Sequence, residues 1–87
     1  MNTKHQIYPL KIPVNEYPDF SDRLKITMQL RSCSVEELAK KTYLSKGAIC
    51  GYRKGTRTPN LVILRLIATA LNVSSDFLIG LNEYIYI

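Results

Sequence analysis

Apolar residues recur at three- and four-residue spacing along most of the chain, in short segments separated by cap and turn residues. Phe20, Leu24, Thr27 and Met28 share one face of a first helix, which runs from Asp19 or Ser21, either able to cap it, to about Arg31. Ile26 and Leu30 fall off that stripe and suit packing beneath the chain ends. Ser34 with Glu37 three residues later is a capping box, each side chain satisfying an orphan backbone N–H. It opens a second helix over about 35–41, with Leu38 and Ala39 on the buried side. Thr42, Tyr43 and Leu44 leave room only for a turn. Ser45 then offers another N-cap for a third helix over 45–54. There Ala48, Ile49 and Tyr52 fall on one face, and Gly55 is the expected left-handed stop.

A fourth helix over about 60–71 places Leu61, Leu64, Ile67, Ala68 and Leu71 toward the core, whereas Val62 and Leu66 point elsewhere. Its start has two readings: Thr58 as cap with Pro59 at the first helical position, or Asn60 as cap. Asn72 serves as a left-handed C-cap. Ser74 or Ser75 caps a fifth helix, where Phe77 and Leu78 close the core before Gly80. The two ends differ from this helical pattern. Residues 1–19 carry Pro9, Pro13 and Pro18, with Tyr8, Leu10, Ile12 and Val14 alternating as in an extended edge segment; a flexible tail is the rival reading. Residues 81–87, LNEYIYI, put Tyr84 and Tyr86 on one face of a strand and Ile85 and Ile87 on the other. A bare strand of this kind is adhesive. It is expected to pair with the segment from Ile7 to Ile12, within one subunit or across a dimer.

Composition narrows the picture. At 87 residues with 46% hydrophobic content, the chain suffices for one modest core without metal or disulfide support. No secretory signal and no apolar run of transmembrane length are present, so the expectation is a cytoplasmic protein with no membrane association. Cys33 and Cys50 stand apart, and the one histidine, His5, lies in the N-terminal tail. They are read as reduced, mostly buried thiols, with no metal site, no cofactor and no catalytic residue. Glu36 and Glu37 are adjacent but explained by capping, so an enzyme is not expected.

The net charge of +5 matters less than its distribution. Between Glu37 and Asp76 there is no acid, yet that interval holds Lys40, Lys41, Lys46, Arg53, Lys54, Arg57 and Arg65. A basic footprint of this kind suits a polyanion.

Two short helices joined by a tight turn, as over 34–55, form the helix-turn-helix arrangement of DNA-binding proteins. The order S-x-E-E-L-A, L-S-x-x-x-I-x-x-Y-x-x-G, T-P-x-L-x-x-L and A-x-A-L-N-V-S-x-D-F-L, from about residue 20 to 80, resembles the phage-repressor (Cro/Xre-like) helix-turn-helix family. The resemblance implies an all-α, five-helix lambda-repressor-like DNA-binding domain over 20–80, with extended arms at 1–19 and 81–87. It implies a bacterial or phage transcriptional regulator that binds double-stranded DNA as a homodimer, its third helix in the major groove.

The candidate DNA-binding residues are Ser34, Ser45, Lys46, Gly47, Cys50, Gly51, Lys54, Thr56, Arg57 and Thr58. Ser34 stands at a helix N-terminus, where backbone N–H groups suit a phosphate. Lys46, Gly47, Cys50 and Gly51 are expected on the outer face of the third helix, where lysine can donate to guanine O6 and N7. Lys54, Thr56, Arg57 and Thr58 border the loop that contacts phosphates in the family, with Arg57 the foremost candidate. Several positions depart from the family pattern. Met28 and Arg53 replace an arginine–glutamate pair, leaving Arg53 to face solvent or phosphate. Val35 replaces a phosphate-gripping glutamine, and Ser32 and Tyr43 replace turn glycines. Tyr43 either meets the DNA backbone or covers the core. Gly47 and Gly51 carry no base-reading side chain, which predicts weak direct readout and a larger share from shape and phosphate. These departures keep open a second reading, a protein-interaction module such as an antitoxin or adaptor, with a protein partner and weak or non-specific DNA binding.

Overall fold

The structure, a computed structural model, describes residues 8–86; Ile7 and Ile87, both part of the expected strand pairing, and His5 lie outside the described residues. Five helices, α1 (Phe20–Leu30), α2 (Val35–Thr42), α3 (Lys46–Lys54), α4 (Leu61–Leu71) and α5 (Ser75–Leu78), are flanked by strands β1 (Pro9–Lys11) and β2 (Tyr84–Tyr86). The strands pair antiparallel within one chain, Pro9 opposite Tyr86, Leu10 opposite Ile85 and Lys11 opposite Tyr84. None of the helices is long and apolar enough to cross a membrane among the described residues.

Caps set the helix ends. Ser34 and Glu37 close the capping box in both directions, Ser34 Oγ accepting at 3.1 Å and Glu37 Oε1 accepting from the Ser34 N–H at 3.0 Å. Ser45 and Ser74 each accept from the backbone N–H three residues on, at 3.0 Å. Asp19 is the residue before α1, though its side chain makes no cap bond. At α4 the cap is Asn60, whose side chain accepts from the Ile63 N–H at 2.9 Å, and not Thr58. Asn72 and Gly55 adopt the left-handed conformation that ends α4 and α3. Ser32 and Tyr43 adopt it too, with φ of 51° and 61°, a strained state for residues that carry a Cβ.

The core gathers Leu24, Met28, Leu38, Ile49, Tyr52, Ile67, Leu71, Phe77 and Leu78 from all five helices. The T-shaped contact of Phe20 and Tyr52, centroids 6.4 Å apart, ties α1 to α3. Leu61 departs from the predicted core face: at the first position of α4 it is 83% exposed, because the opening turn of that helix projects past the packed layer. The chain ends belong to the core, since Ile12 and Ile85 are buried within it. Only Ile12 of the alternating N-terminal residues turns inward; Tyr8, Leu10 and Val14 stay exposed.

The largest departure from the sequence pattern is Arg23, fully buried one residue before Leu24. Its guanidinium donates to the carbonyls of Phe77, Ile12, Tyr17 and Asn82. A buried cation is tolerated only when its donors are satisfied. Here four carbonyls from β1's exit, the turn before α1, α5 and the segment before β2 do so. Burial lowers the Arg23 pKa, while the charge of Glu83 raises it; guanidinium nonetheless stays protonated.

Candidate nucleic-acid interface

The helix-turn-helix comprises α2, the turn 43–45 and α3. Tyr43 at the turn is 94% exposed, which removes the reading in which it covers the core. Thr42 anchors the turn from inside: its hydroxyl donates to the Leu38 carbonyl at 2.7 Å and accepts from the Leu44 N–H at 3.4 Å. With Ala48, Ile49 and Tyr52 buried, α3 presents Lys46, Gly47 and Lys54 outward, and Cys50 is half-buried. Ser34 and Ser45 are exposed. Each hydroxyl is engaged as a cap acceptor but keeps its own proton to donate.

Lys46 is not isolated. Its Nζ lies 3.4 Å from Glu36 Oε2, bridging the first turns of α2 and α3. The acid-free interval of the sequence thus has an acid beside it in space. Both side chains are largely exposed, 63% and 74%, and a pair so solvated is worth about 0–1 kcal/mol. Such a bond yields readily to a polyanion.

Gly51 shares the outer face of α3 with Gly47 but is not exposed there as expected. It is buried, and a Cβ placed there would lie 2.5 Å from Cδ and 2.7 Å from Cγ of Arg57. The loop after α3 folds back over the glycine, with the Thr56 and Arg57 N–H groups donating to the Gly51 carbonyl at 3.0 and 3.2 Å. A Cβ at Gly47, one turn earlier, would meet only Ser45 Oγ, at 4.0 Å. Thr56, Arg57 and Thr58 are exposed; Lys54, Arg57 and Thr58 border a shallow depression shared with Asp19 and Ser21 at the start of α1.

Arg53 is half-buried and borders a groove instead of standing in bulk solvent. Its Nε is buried without a hydrogen-bond partner among the described residues. It lines a groove with Lys25, Met28, Gln29, Ser34 and Val35, at the N-terminus of α2. Met28, at the position of the family's missing arginine, is buried. Lys25 and Gln29, exposed on α1, escaped the reading of the sequence. Their four-residue spacing puts them on one helical face and was the available signal.

The two thiols differ. Cys33 is buried and Cys50 only half-buried. Burial pushes the Cys33 thiol up, partly opposed by Lys41.

Comparison with curated protein sequences returns no match. Among solved structures, the restriction-modification controller protein C.AhdI from Aeromonas hydrophila is 28% identical, with a TM-score of 0.67 over 74% of this chain and 97% of that one. The P22 c2 repressor, crystallised with a synthetic operator, is 22% identical, with a TM-score of 0.68 over the same shares, 74% and 97%; at that identity the likeness is one of fold. A helix-turn-helix family model matches residues 24–78, more than half of the chain and the whole of α2 and α3. The chain belongs to the phage-repressor (Cro/Xre-like) helix-turn-helix family.

Proposed function

We propose that this protein is a sequence-specific, DNA-binding transcriptional regulator that acts as a homodimer and places α3 in the major groove. The observation that carries the reading is the juxtaposition of an exposed, acid-poor α3 with the basic loop Lys54, Thr56 and Arg57, on a helix-turn-helix of this family. Lys46 is the residue assigned to a base edge, and the hydroxyls of Ser34, Ser45 and Thr58 to the phosphate backbone. The N–H groups of Val35 and Glu36, outside the capping box, point from the positive end of the α2 dipole and suit a phosphate. Support comes also from the P22 c2 repressor, a fold neighbour seen with an operator. Leu61, Val62, Leu66, Ile79 and Leu81, exposed on and after α4 and α5, are the residues assigned to the dimer contact.

The test is binding to duplex DNA at a series of salt concentrations, with wild type and Lys46→Ala. Affinity is expected to fall linearly with salt on logarithmic axes, with a slope near −0.9 per phosphate neutralised. Lys46→Ala should weaken binding by about tenfold while the thermal midpoint stays put. Salt-insensitive or absent binding would contradict the reading. A second reading, an adaptor or antitoxin on the same fold, is favoured by Gly47 and by those exposed apolar residues. It is distinguished by a co-purifying protein partner together with sequence-blind DNA binding.

A further inference from the structure

Gly47 and Gly51 lie one turn apart on α3, and neither brings a side chain to the DNA. Their surroundings differ. Gly47 has room for a side chain, with only Ser45 Oγ at 4.0 Å, whereas the place of a side chain at 51 is filled by Arg57 from the following loop. The backbone is shaped for that visit. The Gly51 carbonyl accepts from the N–H groups of Gly55, Thr56 and Arg57 and from the Thr56 hydroxyl at 3.3 Å. These bonds turn the loop back across the helix. The stem of Arg57 then lies against the glycine, and its guanidinium carbon stands 5.8 Å from the centroid of the Tyr52 ring. Arg57 is exposed and forms no ion pair among the described residues, although Asp19 borders the same depression.

We propose that Gly51 and Arg57 form one reading unit, in which Arg57 supplies from the loop the side chain that the second turn of α3 lacks, and donates to a guanine edge in the major groove. The inference rests on the DNA-binding reading above. Its warrant is the seat. A loop arginine that only neutralises a phosphate helps position the protein but carries no sequence information. An arginine that reads a base must be held in register with that helix, because the paired acceptors O6 and N7 demand a defined fork geometry. Any side chain at 51 would displace the stem, so the glycine is the condition for the arginine's position. Arg57 is thereby assigned a role in specificity as well as affinity.

The experiment selects a duplex from a random pool with wild type, then measures discrimination at each base position for Gly51→Ala, Arg57→Ala, Arg57→Lys, the double variant Gly51→Ala/Arg57→Ala, and Lys46→Ala. Gly51→Ala and Arg57→Ala should each lower discrimination at the same guanine by about tenfold or more, and the double variant should be no worse than Arg57→Ala alone. Alanine is the better helix former, so the thermal midpoint of Gly51→Ala is expected not to fall. Should that variant nevertheless fail to fold, Arg57→Lys decides. It keeps the charge and the salt slope but loses the fork, so the guanine preference should drop. Two results overturn the proposal: uniform weakening by Arg57→Ala on every sequence with the salt slope smaller by about one, or additive losses in the double variant. Wild-type binding that Lys46→Ala weakens but Arg57→Ala leaves intact refutes the unit alone. Absence of any salt-dependent binding by wild type removes the DNA reading, and this inference with it.

Discussion

The guanidinium of Arg23 meets Phe77 twice: its Nε donates to the Phe77 carbonyl, and its central carbon lies 4.4 Å from the centroid of the Phe77 ring. The same group donates to Ile12 at 3.2 Å, Tyr17 at 3.0 Å and Asn82 at 3.0 Å. One side chain of α1 thus holds α5 and both flanks of the β1–β2 ribbon. The ribbon adds its own ties, Ile12 N–H to the Glu83 carbonyl at 2.7 Å and Val14 N–H to Glu83 Oε2 at 2.9 Å.

Removing the guanidinium without removing its acceptors should therefore be severe. Arg23→Met fills the space but removes the donor to the Ile12, Tyr17 and Asn82 carbonyls, while Phe77 keeps the Gly80 N–H; each group left unsatisfied costs about 1–3 kcal/mol. Some relax toward water, so the expected loss is about 3–5 kcal/mol in urea unfolding. Arg23→Lys keeps the charge but cannot span four acceptors in a plane, and should lose about 2 kcal/mol. A loss below about 0.5 kcal/mol for Arg23→Met would contradict the clamp.

The α2 cap makes a pH dependence. The Ser34 backbone N–H, and next the Ser34 hydroxyl, hold the Glu37 carboxyl below its ordinary value. A carboxyl with a depressed folded pKa stabilises the fold above its unfolded value, and that contribution disappears as pH falls through the folded one. Wild type should consequently lose more thermal stability between neutral and acidic pH than Glu37→Gln, which keeps the hydrogen-bonding shape without titrating. Parallel pH profiles for the two would show that the carboxylate contributes nothing.

Thiol reactivity should separate the two cysteines. Cys33 is buried with its thiol pushed up, so little thiolate is available. Half-buried Cys50 on α3 should be alkylated first, and Cys33 only on unfolding. Saturating duplex DNA should slow the reaction at Cys50. Unchanged alkylation with DNA bound would place α3 away from the groove.

Tyr43 carries backbone strain with no packing return, since it is left-handed and nearly fully exposed. Tyr43→Gly should raise stability by about 1 kcal/mol. It should also weaken DNA binding on all sequences alike, as expected for a ring at the phosphate backbone. A stabilised variant with unchanged affinity would leave Tyr43 without a DNA role.

Helix boundaries were readable because caps are local: Ser34 with Glu37, Ser45, Gly55 and Asn72 act within a turn of their own position. The misread features all depend on distant chain. Arg23 is polar by every periodicity rule, and its burial follows only once the carbonyls of Phe77 and Asn82, far along the chain, converge with those of Ile12 and Tyr17. Leu61 kept phase with Leu64 and Leu71, but phase does not say where the core layer ends. Gly51 shares a face with Gly47, and only the path of the Arg57 loop takes it out of solvent. Asn60 prevailed over Thr58 because its side chain reaches the Ile63 N–H, so Pro59 precedes the helix instead of opening it. The strand character of the ends was visible in their composition. Their pairing inside one chain was not, because alternation alone leaves an intramolecular and an intermolecular partner equivalent.

The most direct measurement of the central claim is the affinity of wild-type protein for a duplex selected from a random pool, against a scrambled duplex at one physiological salt concentration. A specific regulator is expected to bind the selected duplex about a thousandfold or more tightly, with a palindromic winner reporting the half-site spacing of a dimer. Near-equal affinities for the two duplexes would contradict sequence-specific regulation and favour the adaptor reading.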